Sequence, residues 1–90
     1  MSINVLTLVE MCAHKDGKNL LALKDASGSI PRIMEEAQYL SKRMALLSGD
    51  DGTFAPFVGC GGHGVISVVS HFYPRAYVAF YKKLKKAIWR

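Results

Sequence analysis

Ninety residues make one domain at most, or part of one, because a chain this short buries only a little over half of the surface it exposes when unfolded. Half of the residues are hydrophobic, 21% are charged and the mean hydropathy is +0.12, which excludes a disordered chain. The net charge of +5 gathers at Lys82, Lys83, Lys85, Lys86 and Arg90, so it describes one segment and not a basic face of the whole molecule.

In chain order, residues 3–15 read as a helix with Val5, Leu8, Val9 and Cys12 on one face, stopped by Asp16-Gly17. Leu20 to Leu23 form an unbroken apolar run, the pattern of a strand covered on both faces. After Ser27-Gly28, Ser29 suits a helix N-cap and Pro31 the first turn. Ile30, Ile33, Met34, Ala37 and Leu40 then share a helical stripe. Ala45 to Leu47 is a second short strand. Thr53 caps a brief helix through Phe57, Gly59 to Gly64 stop it, and Val65 to Val69 read as a β-branched strand. Pro74 opens a last helix with Tyr77, Phe80, Tyr81, Leu84 and Ile88 on one stripe. The order α-β-α-β-α-β-α predicts an α/β fold with parallel pairing and right-handed crossovers. Three such strands alone leave two edges free, which hints at a missing part.

The apolar stretches fall short of the roughly 18 residues that span a bilayer, and Met1 to Glu10 lack a basic leader, so a cytoplasmic location is expected. Cys12 and Cys60 are too few for a disulfide scaffold and are expected to be thiols.

Several constellations invite a chemical reading. In a strand Leu20, Ala22 and Lys24 share a side. An amine ending an apolar strand is either a desolvated nucleophile able to form an imine, or a solvated lysine already in the loop with Asp25. Asp50 and Asp51 offer paired carboxylates for a cation or for acid and base work, or simply an Asp/Gly turn. Gly59-Cys60-Gly61-Gly62-His63-Gly64 matches G-x-G-x-x-G, yet it follows a helix and precedes a strand. That is the reverse of a dinucleotide site and favours a tight return with close backbone packing. Cys12-x-His14 and Cys60-x-x-His63 supply four zinc-type donors at unusual spacing, and no metal is expected. His71 reads as an ordinary loop or cap residue. The basic C-terminal helix either packs its apolar stripe on a sheet or meets a membrane or phosphate backbone; packing is the expectation, with neither a membrane nor a nucleic-acid partner.

Three blocks in register, Leu21-Ala22-Leu23-Lys24-Asp25-Ala26-Ser27-Gly28, Leu46-Leu47-Ser48-Gly49-Asp50-Asp51 and Gly61-Gly62-His63-Gly64-Val65-Ile66-Ser67-Val68, resemble dihydrodipicolinate synthase over about residues 5 to 80. The resemblance implies a TIM (β/α)8 barrel in which pyruvate condenses with a strand lysine and the enamine attacks aspartate semialdehyde in lysine and diaminopimelate biosynthesis, with no cofactor. It makes Lys24 the imine-forming residue at the end of the sixth strand. Gly49, ending the seventh, stands beside the second substrate, and Ile66 in the eighth offers its backbone carbonyl to pyruvate. Asp25, Ser29 and His71 stand where Glu, Asp and Asn are commoner. The sister N-acetylneuraminate lyases and keto-deoxy-sugar aldolases, which share the lysine, usually differ in the second and third blocks.

A complete barrel typically needs about 250 residues. The chain is therefore expected to be one incomplete domain, residues 1–90, holding a helix and about three βα units, strands six to eight. The carboxylate-gripping Thr-Thr-Gly turn, the proton-relay tyrosine and the arginine for the second substrate are not in it, and none of Tyr39, Tyr73, Tyr77 or Tyr81 matches the relay position. Little or no activity is expected of the chain alone, and its expected partners are the missing barrel half or further copies of itself. A non-enzymatic module acting through the basic C-terminal helix is the rival reading.

Overall fold

A computed structural model describes residues 3–88. Helix α1, Val5–Ala13, starts where the Asn4 side chain accepts a hydrogen bond from the Leu6 amide at 2.8 Å, and it buries Val5 and Leu8. It is shorter than its apolar period suggests because His14 leaves helical geometry and caps a single 3-10 turn, Lys15–Gly17. Strand β1, Ala22–Asp25, leads through Gly28, whose φ of 67° suits glycine, to α2, Ile30–Leu40. Ser29 caps α2 by accepting from the Arg32 amide, as the sequence suggests. Strand β2, Ala45–Ser48, a 3-10 turn at Asp51–Thr53, and α3, Phe54–Gly59, follow. Thr53 precedes α3 without capping it, because its hydroxyl is spent on Asp50. Strand β3, Gly64–Val65, and helix α4, Pro74–Ile88, complete the described chain.

The strands form one parallel sheet in the order β1-β2-β3, with Leu23 beside Leu46, Lys24 beside Leu47 and Leu47 beside Gly64. This is the expected α/β order. The core lies on one face only: Leu8 of α1, Ile33, Ala37 and Leu40 of α2, Met44, Leu46 of β2 and Phe57 of α3 pack together, with Leu23 against them. Arg43 closes the bottom of this layer by donating from its guanidinium to the carbonyls of Leu20 and Gly17.

The alternate face differs from expectation. The run Leu20 to Leu23 predicts a strand buried on both sides and begun at residue 20, but Leu21 is 72% exposed, Ala22 and Lys24 are exposed, and pairing starts two residues later. No described helix packs on the side of Ala22 and Lys24, so these residues meet solvent, while Leu21 precedes the paired strand on the side of Leu23. Met34 is exposed as well, because α2 turns Ile33, Glu36, Ala37 and Leu40 inward instead.

β3 is also shorter than the β-branched run 65–69. After Ile66, whose amide donates to the Ser48 carbonyl at 2.8 Å, the chain is drawn off the sheet by Asp51. That carboxylate accepts from the Ser67 hydroxyl, from the Val68 and Val69 amides at 3.0 and 3.1 Å, and from the Tyr77 hydroxyl at 2.7 Å. Helix α4 consequently does not pack its stripe on the sheet. Its Tyr77, Phe80 and Tyr81 surround Phe54, the first residue of α3, with ring centroids 5.8, 6.3 and 5.8 Å from it.

The hydroxyl of Ser67, then that of Tyr77, hold the Asp51 carboxyl down at about 2, against an ordinary 3.8. A depressed carboxylate contributes stability that is present above its unfolded value and is lost as pH falls toward its folded one. Acid is therefore expected to release α4 between about pH 4 and pH 2, read as a tyrosine-fluorescence or near-UV transition, and Asp51→Asn is expected to lose that transition. An unchanged acid profile in Asp51→Asn would contradict the anchoring role.

Candidate functional site

Lys24 is the third residue of β1, inside the strand and not beyond it. Its side belongs to the face that carries Ala22 and, across the sheet, Leu47, opposite the helix-covered face of Leu23 and Leu46. The Lys24 side chain runs over Gly49, which follows the last residue of β2. A methyl group at position 49 would lie 2.7 Å from Lys24 Cε and 2.9 Å from Ala26 Cβ. Glycine is thus required there for the lysine to lie as it does, while the Gly49 amide donates to the Asp25 carbonyl at 2.7 Å. Two of the three residues singled out from sequence are in contact. Ile66 lies one strand further, just past β3, and is 51% exposed.

The desolvation expected of Lys24 is not supplied by the described residues: the side chain is exposed, because the sheet face it stands on has no covering layer. The ends of β1 and β2 nonetheless bring an amine, a glycine and an open apolar face together. Such a group can attack a carbonyl compound lying over the strand ends.

Behind β1, on the covered face, lies a group that the sequence reading did not single out. Asp25 and Glu36 are buried, 8% and 1% exposed, beside Arg32. Arg32 Nε stands 3.0 Å from Glu36 Oε1 and 3.8 Å from Asp25 Oδ2. Burial, then the neighbouring Asp25 carboxyl, push the Glu36 carboxyl up to about 7. Burial pulls Asp25 upward too, but the neighbouring Glu36 carboxyl, the hydrogen bonding of Ser27 and the charge of Arg32 outweigh that and hold it below the usual range. The available signal was the stripe itself: a glutamate at position 36 stands three residues from Ile33 and four from Leu40, with an arginine one turn before it.

With that geometry in place, residues 2–88 match the Dihydrodipicolinate synthetase family. The chain belongs to this family. Curated relatives named 4-hydroxy-tetrahydrodipicolinate synthase include that of Bdellovibrio bacteriovorus, 43% identical over 65 residues, which are 72% of this chain and 22% of the relative. That of an Azoarcus species is 48% identical over 64% of this chain and 20% of its own length. That of Flavobacterium psychrophilum is 38% identical over 82% of this chain and 25% of its own. The chain thus spans about a fifth to a quarter of the length of the relatives it matches. No solved structure matches it.

In this dihydrodipicolinate synthetase family chain the remaining motifs are structural. Gly61 has φ 111°, and a methyl group at Gly62 would sit 2.1 Å from the Phe57 ring, so these glycines let the chain double back from α3 onto the sheet. His63 extends that contact: its backbone amide donates to the Leu46 carbonyl at 2.9 Å, and its ring Nδ1 accepts from the Leu46 amide at 3.0 Å. The His14 ring accepts from the Asp16 amide. Both histidines weighed as zinc donors therefore have a ring nitrogen engaged with backbone. Asp50 accepts from the Gly52 amide and the Thr53 hydroxyl, and Asp51 anchors α4, so both carboxylates of the pair hold the local turn and the last helix in place. His71 lies in the 3-10 turn Val69–His71. Among the described residues no helix is long and apolar enough to cross a membrane.

Proposed function

We propose that the chain is the C-terminal part of a Schiff-base lyase of the 4-hydroxy-tetrahydrodipicolinate synthase type, holding strands six to eight of a (β/α)8 barrel as β1, β2 and β3. Lys24 is its nucleophile. The amine adds to the keto carbon of pyruvate, water leaves, and loss of a methyl proton from the iminium gives an enamine that attacks the aldehyde of aspartate semialdehyde. Gly49 keeps the strand ends open beside Lys24, and Ile66 lines the site from just past the third strand. Family membership supports the reading, and the names of the relatives favour the synthase over the sister aldolases.

The observation that carries it is the one-sided sheet. All three covering helices, α1 to α3, lie on one face, and Lys24 and Gly49 meet at the strand ends on the other, as in a barrel whose interior is that second face. Its exposed Ala22 and Ile66 are the surface that the missing five strands, or other copies of the chain, would cover.

Covering that face desolvates the lysine and supplies the groups that bind carboxylate and relay protons, which contribute large factors that Lys24 cannot replace. The chain alone is therefore expected to give no steady turnover of pyruvate with aspartate semialdehyde. Mixed with the first five βα units of a family member, it is expected to be trapped by pyruvate and borohydride as one adduct, which peptide mapping locates at Lys24 and Lys24→Ala abolishes. An adduct formed equally in Lys24→Ala overturns the assignment of the nucleophile, and steady turnover by the 90-residue chain overturns the expectation that it is inactive alone.

A further inference from the structure

Two buried side-chain oxygens, Asp25 Oδ2 and Glu36 Oε2, have no hydrogen-bond partner. Both residues line the same cleft of about 320 Å3 behind β1. Leaving two such acceptors unpaired on buried carboxyls costs about 1–3 kcal/mol each, a large share of what a small domain holds. The other oxygens are occupied: Glu36 Oε1 takes Arg32 Nε at 3.0 Å, and Asp25 Oδ1 takes the Ser27 amide at 2.6 Å. One proton between the unpaired oxygens satisfies both at once, with one carboxyl donating and the other accepting.

The charges agree. Among the described residues the titratable groups lining the cleft are Lys24 and Asp25 of β1 and Arg32 and Glu36 of α2, while Ile3 and Leu8 on the α1 side are apolar. Lys24 reaches the cleft, but its stem lies over Gly49 on the other face and it makes no ion pair with either carboxylate. Arg32 alone balances charge here, and it balances one carboxylate. A second needs a proton.

We propose that Asp25 and Glu36 share a single proton, and that this acid pair is a pH-sensitive clamp fixing α2 to the end of β1 behind Lys24. The clamp grips the same residue whose carbonyl receives the Gly49 amide. Its state is thus felt by both strand ends that carry the candidate site. The inference goes beyond the lyase reading and stands or falls without it, since it makes no use of imine chemistry.

The direction with pH is fixed by Glu36, whose carboxyl burial and Asp25 push up to about 7 from an ordinary 4.5. A raised carboxyl contributes stability that is fully present below its unfolded value and is lost as pH rises through the folded one. The folding equilibrium constant is therefore expected to fall by about two orders of magnitude as pH rises from below 5 to above 7.

The test is carboxyl 13C NMR of the full chain labelled at Glu and Asp. One glutamate is expected to titrate near pH 7, with the Asp25 carboxyl and the Lys24 and Ala26 amides shifting at the same midpoint. Glu36→Gln, which keeps an N–H donor toward Asp25, is expected to fold, to erase that midpoint from every probe and to remove the loss of stability between pH 5 and 8. Glu36→Ala, without a donor, is expected to be unstable throughout. Titration of all glutamates in the ordinary carboxyl range overturns the proposal, as does a midpoint near 7 that survives in Glu36→Gln.

Discussion

Phe57→Ala is expected to unfold most of the chain's structure under conditions where the parent is folded. Phe57 is 1% exposed and stands in the one cluster that joins α1, α2, α3 and β2. Removing a buried phenylalanine ring loses its transfer free energy and leaves a cavity, together about 3–5 kcal/mol. A domain of this size holds only about 5–13 kcal/mol in total. The core is also one-sided, so no second hydrophobic layer compensates. The expected measurement is a urea midpoint lowered by roughly 2–3 M. Phe72→Ala serves as control: Phe72 is 75% exposed, and its loss is expected to change stability by less than about 0.5 kcal/mol. Equal midpoints for the two variants would mean that the core lies elsewhere.

Gly62→Ala is expected to be nearly as damaging, for the opposite reason. The added methyl would lie 2.1 and 2.2 Å from two ring carbons of Phe57 and 2.8 Å from its carbonyl oxygen. Neither neighbour is the free end of a flexible side chain, so ring and backbone must move apart, at a cost of about 1–3 kcal/mol or more. At Gly59 a methyl meets nothing within 4 Å, and Gly59→Ala is expected to be neutral or slightly stabilising, by up to about 1 kcal/mol. Thermal unfolding of the two variants separates a packing role for the glycine segment from a nucleotide-binding one. A packing role makes the two glycines unequal, and equal melting temperatures would argue against it.

The sequence by itself determined the order of elements, because caps, turns and helical or strand periods are local properties of neighbouring residues. Ser29 capping α2 and Pro74 opening α4 appear where the residues suggest, and each apolar run yields a strand, although β1 starts two residues late and β3 is cut short. The three signature blocks likewise marked the family and pointed to Lys24, Gly49 and Ile66, of which the Lys24 side chain and the Gly49 backbone meet.

Which surfaces are covered, and by what, depends on how elements far apart in the chain meet. An apolar run such as Leu20 to Leu23 reports that a strand suits burial, not whether a layer lies on each side, so the exposure of Leu21 and Lys24 had to be seen. β3 stops early because Asp51, sixteen residues away, competes for Ser67, and α4 turns to Phe54 because Asp51 also holds Tyr77. The Asp25–Arg32–Glu36 cluster depends on a strand end and a helix face meeting across a loop. The contacts of Asp51 span sixteen residues or more and carry no local periodic signal, whereas the α2 stripe marks Arg32 and Glu36 but not the strand residue Asp25 that meets them. They decide the environment of Lys24, which the residues on either side of it do not.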